Sequence, residues 1–348
     1  MKPRSSRIAA AAATVAVLAG FTTACNRDSD SAAGGGAPKI GIDLPRADSD
    51  FWNSYAQYVE RETSAQGVNT LPVSNSQNDV TKVVANVKVF QNTGAKAVVM
   101  APQDTGAIAS TLENLANKHI PVVSVDTRPD KGQVYMVVRA DNKAYGTKAC
   151  EYLGQQLAGK GKVVEFEGAL DSINGRDRSE AFASCMKSKY PAIKVIALAT
   201  DWKGDVASAK LQTTLASDPD VNGIYMQAGG VFLQPTLALL QQKHLLKPPG
   251  TPGHITIISN DGIPEEFKAI KAGQIDATIS QPADLYAKYA LYYAKEALAG
   301  KTFQPGPTDH DSTIVKIPNG LEDQLPAPLV TKDNVDDPKL WANQLGKS

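Results

Sequence analysis

The sequence has few residues of the kinds that carry metal or thiol chemistry. Among its 348 residues are three cysteines and four histidines, with no C-x-x-C pair, H-E-x-x-H motif or other metal-ligand spacing. Lysine plus arginine equals aspartate plus glutamate at 36 each. The charges therefore balance, and they favour neither a nucleic acid nor a basic partner. We expect neither a metal site nor a nucleic-acid partner.

The dinucleotide-binding fingerprint G-x-G-x-x-G and the nucleophile elbow G-x-S-x-G of serine hydrolases are also missing from the sequence. The nearest match is "GQQLAGKG" at 154–161, where Gly161 takes the place of the Ser or Thr that a phosphate-binding loop needs for magnesium. Its glycines end a predicted helix and precede a predicted strand, which reverses the order of that loop. We interpret the stretch as a helix C-cap and expect no cofactor.

Only one long apolar run occurs, and it lies near the N-terminus. Residues 8–21 follow three basic residues, are too few for a comfortable membrane span, and predict a signal peptide over 1–24. Small residues before Cys25 resemble the lipobox of bacterial lipoproteins; a plain signal peptide with an incidental cysteine is the alternative. Residues 25–38 would then be the lipidated cysteine and a flexible Ser, Gly and Asp-rich tether. We expect an exported protein anchored by lipid to the outer face of the cell membrane.

The other two cysteines, Cys150 and Cys185, each lie within a helical pattern. Because we expect the protein to fold outside the reducing cytoplasm, we predict a disulfide between them. Two buried free thiols are the alternative, since unpaired cysteine is among the most buried residue types.

Short apolar runs alternate with stretches of helical period from Lys39 onward. The runs predict strands at 39–43, 69–73, 97–101, 121–126, 162–166, 194–198, 223–227, 255–259 and 276–280. Because the runs are continuously apolar, we expect helices on both faces of the sheets. The pattern predicts an α/β fold of two doubly wound parallel-sheet domains, with a single barrel as the alternative. The tail at 316–345 is interpreted as mostly loop, with a short helix from about Pro338.

Polar and aromatic residues gather at the ends of the predicted strands, where α/β sheets hold ligands. In chain order they are Ser49, Phe51, Trp52, Asp126, Arg128, Arg176, Trp202, Gln227, Asp261 and Gln281. Carboxylates and guanidinium groups pair with vicinal hydroxyls, and flat aromatic faces stack on a sugar ring. The set predicts a site for a small, neutral, polyhydroxylated ligand.

Purely structural roles are the alternatives for several of these residues. Trp52 also begins the apolar stripe of its helix. Asp126 and Arg128 would equally form a surface ion pair, and Asp261 would cap the helix that follows it. It is their joint occurrence at successive strand ends that favours a binding site.

Seven landmarks together resemble one family. They are "KIGID" with "DFWNSYAQYVERE", "GAKAVVMAPQD", "IPVVSVDTRPDKG", "ADNKAYG", "GRDRSEAF", "ISNDGIPE" and "DATISQP". From about Lys39 to the C-terminus, the chain resembles the substrate-binding proteins of bacterial ABC sugar importers of the ribose-binding type. The resemblance implies the type I periplasmic binding protein fold, in which two doubly wound lobes joined by a three-segment hinge close on a sugar.

The resemblance also implies boundaries and roles. It assigns 39–140 plus 282–313 to the N-terminal lobe and 141–281 plus 314–348 to the C-terminal lobe and tail. It implies stacking by Phe51, Trp52 and Trp202, hydrogen-bond acceptance by Asp126 and Asp261, and donation by Arg176 and Gln281. Ribose binders carry amides where this chain has Ala101 and Ala228, and an arginine where it has Thr127, with Arg128 one position later. A sugar other than ribose, or a polyol, is therefore equally expected.

The predicted function is that of an extracytoplasmic solute-binding lipoprotein rather than an enzyme. It would capture a monosaccharide or related polyol and deliver it to an ABC permease and its ATPase subunit. We expect a monomer that touches the membrane only through its lipid. Two alternatives stay open: a sensory receptor of the same fold that binds a sugar-like signal, and an exported hydrolase with Asp126 and Asp261 as a carboxylate pair.

Overall fold

The computed structural model describes residues 37–346 of the chain. The predicted signal peptide, Cys25 and nearly all of the predicted tether lie outside the described residues. In chain order the elements are β1 (Lys39–Leu44), α1 (Asp50–Ala65), β2 (Ser74–Asn75), α2 (Val80–Asn92), β3 (Ala95–Met100), α3 (Ala109–Asn117), β4 (Val122–Val125), β5 (Met136–Ala140), α4 (Asn142–Gln156), β6 (Lys160–Glu167), α5 (Ile173–Lys189), β7 (Ala192–Ala199), α6 (Gly204–Ser217), β8 (Gly223–Met226), α7 (Gly229–Gln242), β9 (Thr256–Asp261), α8 (Pro264–Lys271), β10 (Ala277–Ser280), α9 (Ala283–Leu298), β11 (Gly306–Pro307), β12 (Thr313–Ile317), β13 (Gly320–Leu325), β14 (Leu329–Thr331) and α10 (Trp341–Gln344). None of the helices in this described part is long and apolar enough to cross a membrane.

The strands form two sheets, one in each lobe. The first sheet has the strand order β11-β12-β13-β5-β4-β3-β1-β2, and the second has the order β14-β10-β9-β8-β6-β7. Every residue of β4, β8, β9 and β10 is buried. Burial on both faces explains why these strands read as unbroken apolar runs. The predicted α/β fold with two doubly wound parallel-sheet lobes is confirmed.

The chain passes between the lobes at three places. The crossings follow β5, β10 and β13, at 140–142, 280–283 and 325–329. Because all three lie at the ends of neighbouring sheets, a rotation of one lobe against the other needs backbone changes in few residues.

The third crossing corrects the sequence-based boundary, which assigned 314–348 to the C-terminal lobe. Strands β12 and β13 instead belong to the first sheet, where β13 pairs in parallel with β5. A tight turn at Pro318 and Asn319 joins the two strands, with Ile317 opposite Gly320. Proline at the second position and glycine at the fourth favour such a turn. The chain therefore leaves the first lobe after Leu325.

Other sequence-based assignments are also corrected. The tail contains two strands that were not predicted, β13 and β14, whereas α10 lies where a short helix from about Pro338 was predicted. The predicted strand at 69–73 is reduced to a bridge between Thr70 and Ile40, followed by the short β2. The strand β5 was absent from the predicted set. Helix α10 packs on the first lobe, where the Tyr58 hydroxyl donates a hydrogen bond to the Trp341 carbonyl oxygen at 2.7 Å.

Helices α4 and α5 form a close pair in the second lobe. Cys150 and Cys185 form a disulfide that joins them. Gly146 of α4 lies against the backbone of Arg178 in α5, so that a Cβ at this position would clash. This contact holds the first half of α5 in place beside the cleft between the lobes. The stretch 154–161 is the end of α4 and the start of β6, and Gly159 has a φ of +74°.

Candidate ligand-binding site

A cavity lies between the lobes, at the carboxyl ends of their parallel strands. Seven predicted residues line it: Ser49, Phe51, Trp52, Asp126, Trp202, Asp261 and Gln281. Six further residues line it that were not among the predicted site residues: Arg46, Gln103, Asn174, Arg178, Ala228 and Val231. Of these, Ala228 was noted only as a position where ribose binders carry an amide. The cavity encloses about 40 Å³. Ligand pockets typically enclose about 300–1,000 Å³, so the cavity in this form is smaller than a typical ligand pocket.

A second cavity of about 570 Å³ lies next to the first. Arg46, Gln103 and Trp202 line both cavities. These three side chains therefore stand between the inner site and the outer part of the cleft.

Three of the predicted residues lie outside the cavity. Gln227 is fully buried, accepts a hydrogen bond from the Gly168 backbone and donates to Glu165 at 2.8 Å. Arg176 is half-buried at the cleft rim, where it donates to Asp130 at 2.6 Å. Arg128 lies beside Asp177 and Glu322, described below. The structure therefore places these side chains in contacts within the protein.

Three lining residues have a left-handed backbone. The φ angles are +63° at Asp126, +55° at Trp202 and +104° at Asp261. Such angles are uncommon outside glycine and persist only where the surrounding structure holds them. Asp126 follows β4, Asp261 ends β9 and Trp202 precedes α6. The turn at each position directs the side chain into the cleft. Strain of this kind clusters at ligand sites.

Asp126 lines the cavity and has one carboxylate oxygen without a partner. Its Oδ2 accepts a hydrogen bond from the Asn174 side chain of the opposite lobe at 2.8 Å. Its Oδ1 is buried and has no hydrogen-bond partner among the described residues. Burial raises the pKa of Asp126, and the positive charges of Arg178 and Arg139 oppose that rise. A ligand hydroxyl would satisfy the free oxygen.

Arg178 is the central cation of the second lobe. Only 3% of its surface is exposed. It donates to the side chain of Asn142 at 2.6 Å, to the side chain of Gln281 at 2.9 Å and to the backbone carbonyl of Gln227. Three of its five N–H groups have these partners, which leaves two for a ligand. Its guanidinium also lies 5.7 Å from the ring centre of Trp202.

Asp261 closes the site from the second lobe. Its Oδ2 accepts a hydrogen bond from the backbone N–H of Gly230, at the N-terminus of α7, at 2.8 Å. Burial raises the pKa of Asp261 to about 7, and the positive charge of Arg178 opposes the rise. The neighbouring Glu266 accepts hydrogen bonds from the Gly262 and Ile263 backbones, and its pKa is also raised by burial.

Aromatic rings line the cavity from both lobes. In the first lobe, Phe51 and Trp52 open α1 and meet edge to face with 5.2 Å between ring centres. In the second lobe, Trp202 stacks on Phe232 with 6.5 Å between ring centres and 19° between planes. Gly168 leaves room for the Trp202 ring, because a Cβ there would overlap it. The helix N-cap is Ser49, whose side chain makes no capping hydrogen bond.

Arg46 connects the lobes at the mouth of the inner cavity. Its guanidinium is paired with Asp48 at 2.5 Å and donates to the Trp202 carbonyl oxygen at 3.4 Å. The cavity thus has two arginines, Arg46 and Arg178, and two aspartates, Asp126 and Asp261. Balanced charge beside apolar rings suits a neutral ligand with several hydroxyls. Within 37–346 there is no group of three His, Cys, Asp or Glu side chains that could hold a metal ion.

A family model described as a periplasmic binding protein domain matches residues 40–302. The chain is 28% identical to the ribose import binding protein of Haemophilus influenzae over 265 residues, which cover 75% of this chain and 86% of that protein. It is 26% identical to the xylitol-binding protein of Mycolicibacterium smegmatis over 334 residues, which cover 95% of this chain and 87% of that protein.

Solved structures show the same fold at low sequence identity. An ABC transporter solute binding protein from Mycobacterium smegmatis with bound glycerol has a TM-score of 0.75 at 24% identity, covering 90% of this chain and 98% of that one. A periplasmic solute binding protein from Actinobacillus succinogenes with bound D-allose has a TM-score of 0.73 at 19% identity, covering 86% and 100%. These similarities support the two-lobed architecture described above.

Proposed function

Because this chain belongs to the periplasmic binding protein domain family, we propose that it captures a small neutral sugar or polyol between its lobes and delivers it to an ABC importer. The observation that supports this function best is the cavity itself. It combines aromatic rings from both lobes with two carboxylates and two guanidinium groups. Relatives named for ribose and xylitol support the same class of ligand.

In the proposed complex each side chain has a defined part. The free Oδ1 of Asp126 and the carboxylate of Asp261 accept ligand hydroxyl protons, and Arg178 donates from its two uncommitted N–H groups. Trp52 and Trp202 lie against the apolar faces of the ligand. Since these groups come from opposite lobes, only the closed form makes all the contacts, and ligand binding favours closure.

The finer features of the proposal rest on the sequence. Lipid at Cys25 would anchor the protein to the outer face of the membrane, and the tether would let the binding unit reach a permease. Incorporation of labelled fatty acid into the wild-type protein, with none into a Cys25→Ser variant, would support the anchor. Sedimentation at several concentrations would test the proposed monomer.

The binding function is tested by thermal unfolding with a panel that includes D-ribose, D-allose, xylitol and glycerol. A true ligand at a hundred times its Kd stabilises the folded state by about 2.7 kcal/mol. The compound should be recovered chemically unchanged. Asp126→Asn should abolish the shift, whereas Glu113→Gln, at an exposed position of α3, should retain it. If a broad panel of pentoses, hexoses and polyols gives no shift, the proposed function is wrong.

A further inference from the structure

Four charged side chains alternate in sign beside the first crossing between the lobes. Arg139 lies 3.2 Å from Asp177 and 3.7 Å from Glu322, and Arg128 lies 3.9 Å and 3.8 Å from the same two carboxylates. We call these four residues the hinge cluster. The side chains of Arg139, Asp177 and Glu322 are less than one-tenth exposed, and that of Arg128 is 28% exposed. None of the four lines the inner cavity.

The hinge cluster is divided unequally between the lobes. Arg139 is on β5, Glu322 is on the neighbouring β13, and Arg128 follows β4, so all three belong to the first lobe. Asp177 is on α5 of the second lobe. Opening the cleft would therefore remove one of the two carboxylates from between two arginines. A buried charge that loses its partner is strongly destabilised.

The hinge cluster is also connected to the ligand site. Arg139 donates a hydrogen bond to the Asn174 side-chain oxygen at 2.9 Å. With its oxygen facing the guanidinium, Asn174 must turn its NH2 group toward Asp126, to which it donates at 2.8 Å. This bond occupies Oδ2 of Asp126 and leaves Oδ1 without a partner. Arg139 thus orients the Asn174 amide so that its NH2 group binds one oxygen of Asp126.

We propose that Arg139 and Asp177 are positioning residues for ligand capture: they hold the two lobes together and, through Asn174, fix the Asp126 carboxylate at the cavity wall. The role in capture rests on the proposed binding function, but the role in holding the lobes together does not. Glu322 has the same charge and the same two arginine partners, yet it makes no contact across the cleft. It provides a matched control.

The experiment compares the full chain with its Asp177→Asn and Glu322→Gln variants by small-angle X-ray scattering without added sugar. Asp177→Asn should increase the radius of gyration, because the lobes separate, while Glu322→Gln should leave it at the wild-type value. Arg128→Gln, which removes a partly exposed partner, should shift it in the same direction by less. If Asp177→Asn does not unfold cooperatively, the radius of gyration of Arg128→Gln tests the proposal in its place.

A second measurement uses the panel compound that stabilises the wild-type protein most. Its dissociation, followed by stopped-flow fluorescence, should be at least about tenfold faster from Asp177→Asn and near the wild-type rate from Glu322→Gln. Equal scattering curves for the wild type, Asp177→Asn and Arg128→Gln would overturn the proposal, as would equal effects of Asp177→Asn and Glu322→Gln. If no panel compound binds the wild type, the binding function fails while the scattering result still decides the role of the hinge cluster.

Discussion

Gly230 of α7 touches the backbone of Phe51 in α1, across the cleft between the lobes. A Cβ at Gly230 would lie 3.0 Å from the Phe51 amide nitrogen and 2.9 Å from the Ser49 hydroxyl. The φ of Gly230 is not in the left-handed region. A Cβ there would also lie 3.2 Å from Oδ2 of Asp261 in the second lobe. The missing side chain is therefore needed for the close packing around Gly230, chiefly against the first lobe, and not for the local backbone.

Gly230→Ala is expected to hinder closure without unfolding either lobe. Since alanine is a better helix residue than glycine, the ligand-free protein should keep its thermal stability. The shift produced by the best panel sugar should be lost or sharply reduced, as measured by thermal unfolding and calorimetry. Gly106→Ala is the control, because a Cβ there would approach no atom closer than 3.6 Å. Normal sugar binding by Gly230→Ala would contradict this account of closure.

Arg178 and Arg176 are expected to differ sharply when each is replaced by lysine. Arg178→Lys loses the fork that serves three protein acceptors and leaves N–H groups for the ligand, so sugar affinity should fall by about tenfold or more. Arg176→Lys changes a rim contact with Asp130 and should alter affinity by less than about threefold. Isothermal titration calorimetry measures both. Equal losses would show that the rim arginine also acts on the ligand.

The cavity residues at the strand ends could be predicted from the sequence, but the face of α5 that lines the cavity was not assigned. Asp126, Trp202 and Asp261 each follow an apolar run, and all three line the cavity. On α5, Asn174 and Arg178 are four residues apart and share one face, whereas Arg176 points away from it. The sequence contained that signal, because the helical period separates Arg176 from the other two. The disulfide and the contact with Gly146 fix α5 against α4, and this packing establishes which face of α5 is turned toward the cavity.

The free energy of unfolding is expected to fall as pH rises from about 5 to 8. Burial, together with the charge of Asp261, raises the pKa of Glu266 to about 8, and the pKa of Asp261 is about 7. In this window the folded state binds more protons than the unfolded state, so stability is present at low pH and lost as pH rises. Urea unfolding at several pH values measures the slope.

Glu266→Gln should make that slope shallower, because its amide does not titrate. Exposed Glu113→Gln serves as the control and should leave the slope unchanged. Parallel pH profiles for the wild type and Glu266→Gln would show that Glu266 is not the group that titrates.

Removing the disulfide is expected to destabilise the second lobe. Cys150 and Cys185 are 35 residues apart, and closing a loop of that length restricts the unfolded chain by about 3–4 kcal/mol. The Cys150→Ala, Cys185→Ala double variant should therefore unfold at lower urea concentration than the wild type. Reductant should lower the wild-type midpoint and have no effect on the double variant. A wild-type midpoint insensitive to reductant would contradict the prediction.

The strands β12 and β13 were the part of the fold that the sequence did not reveal. The segment "IVKIPNGLEDQL" at 314–325 contains proline, asparagine and three charged residues, so it resembles a loop by composition. The polar residues of β12 are tolerated because this strand lies near the edge of the sheet. On β13, Asp323 is fully buried, and Ser312, Tyr293 and His310 are its hydrogen-bond partners. Those partners lie outside the local sequence of β13. The local pattern alone therefore could not reveal that the Asp323 carboxylate has hydrogen-bond partners.

The left-handed backbone at Asp126 and Asp261 restricts how the sugar preference of this scaffold could be re-engineered. Aspartate and asparagine tolerate positive φ far better than branched or bulky residues do. A designer could therefore exchange an acceptor for a mixed donor and acceptor at either position with little backbone cost, whereas an aliphatic side chain would be excluded by conformation before it met any ligand. Biosensor libraries built on this protein would do best to keep these two positions to Asp, Asn and Gly, and to place their wider diversity at Gln103 and Val231.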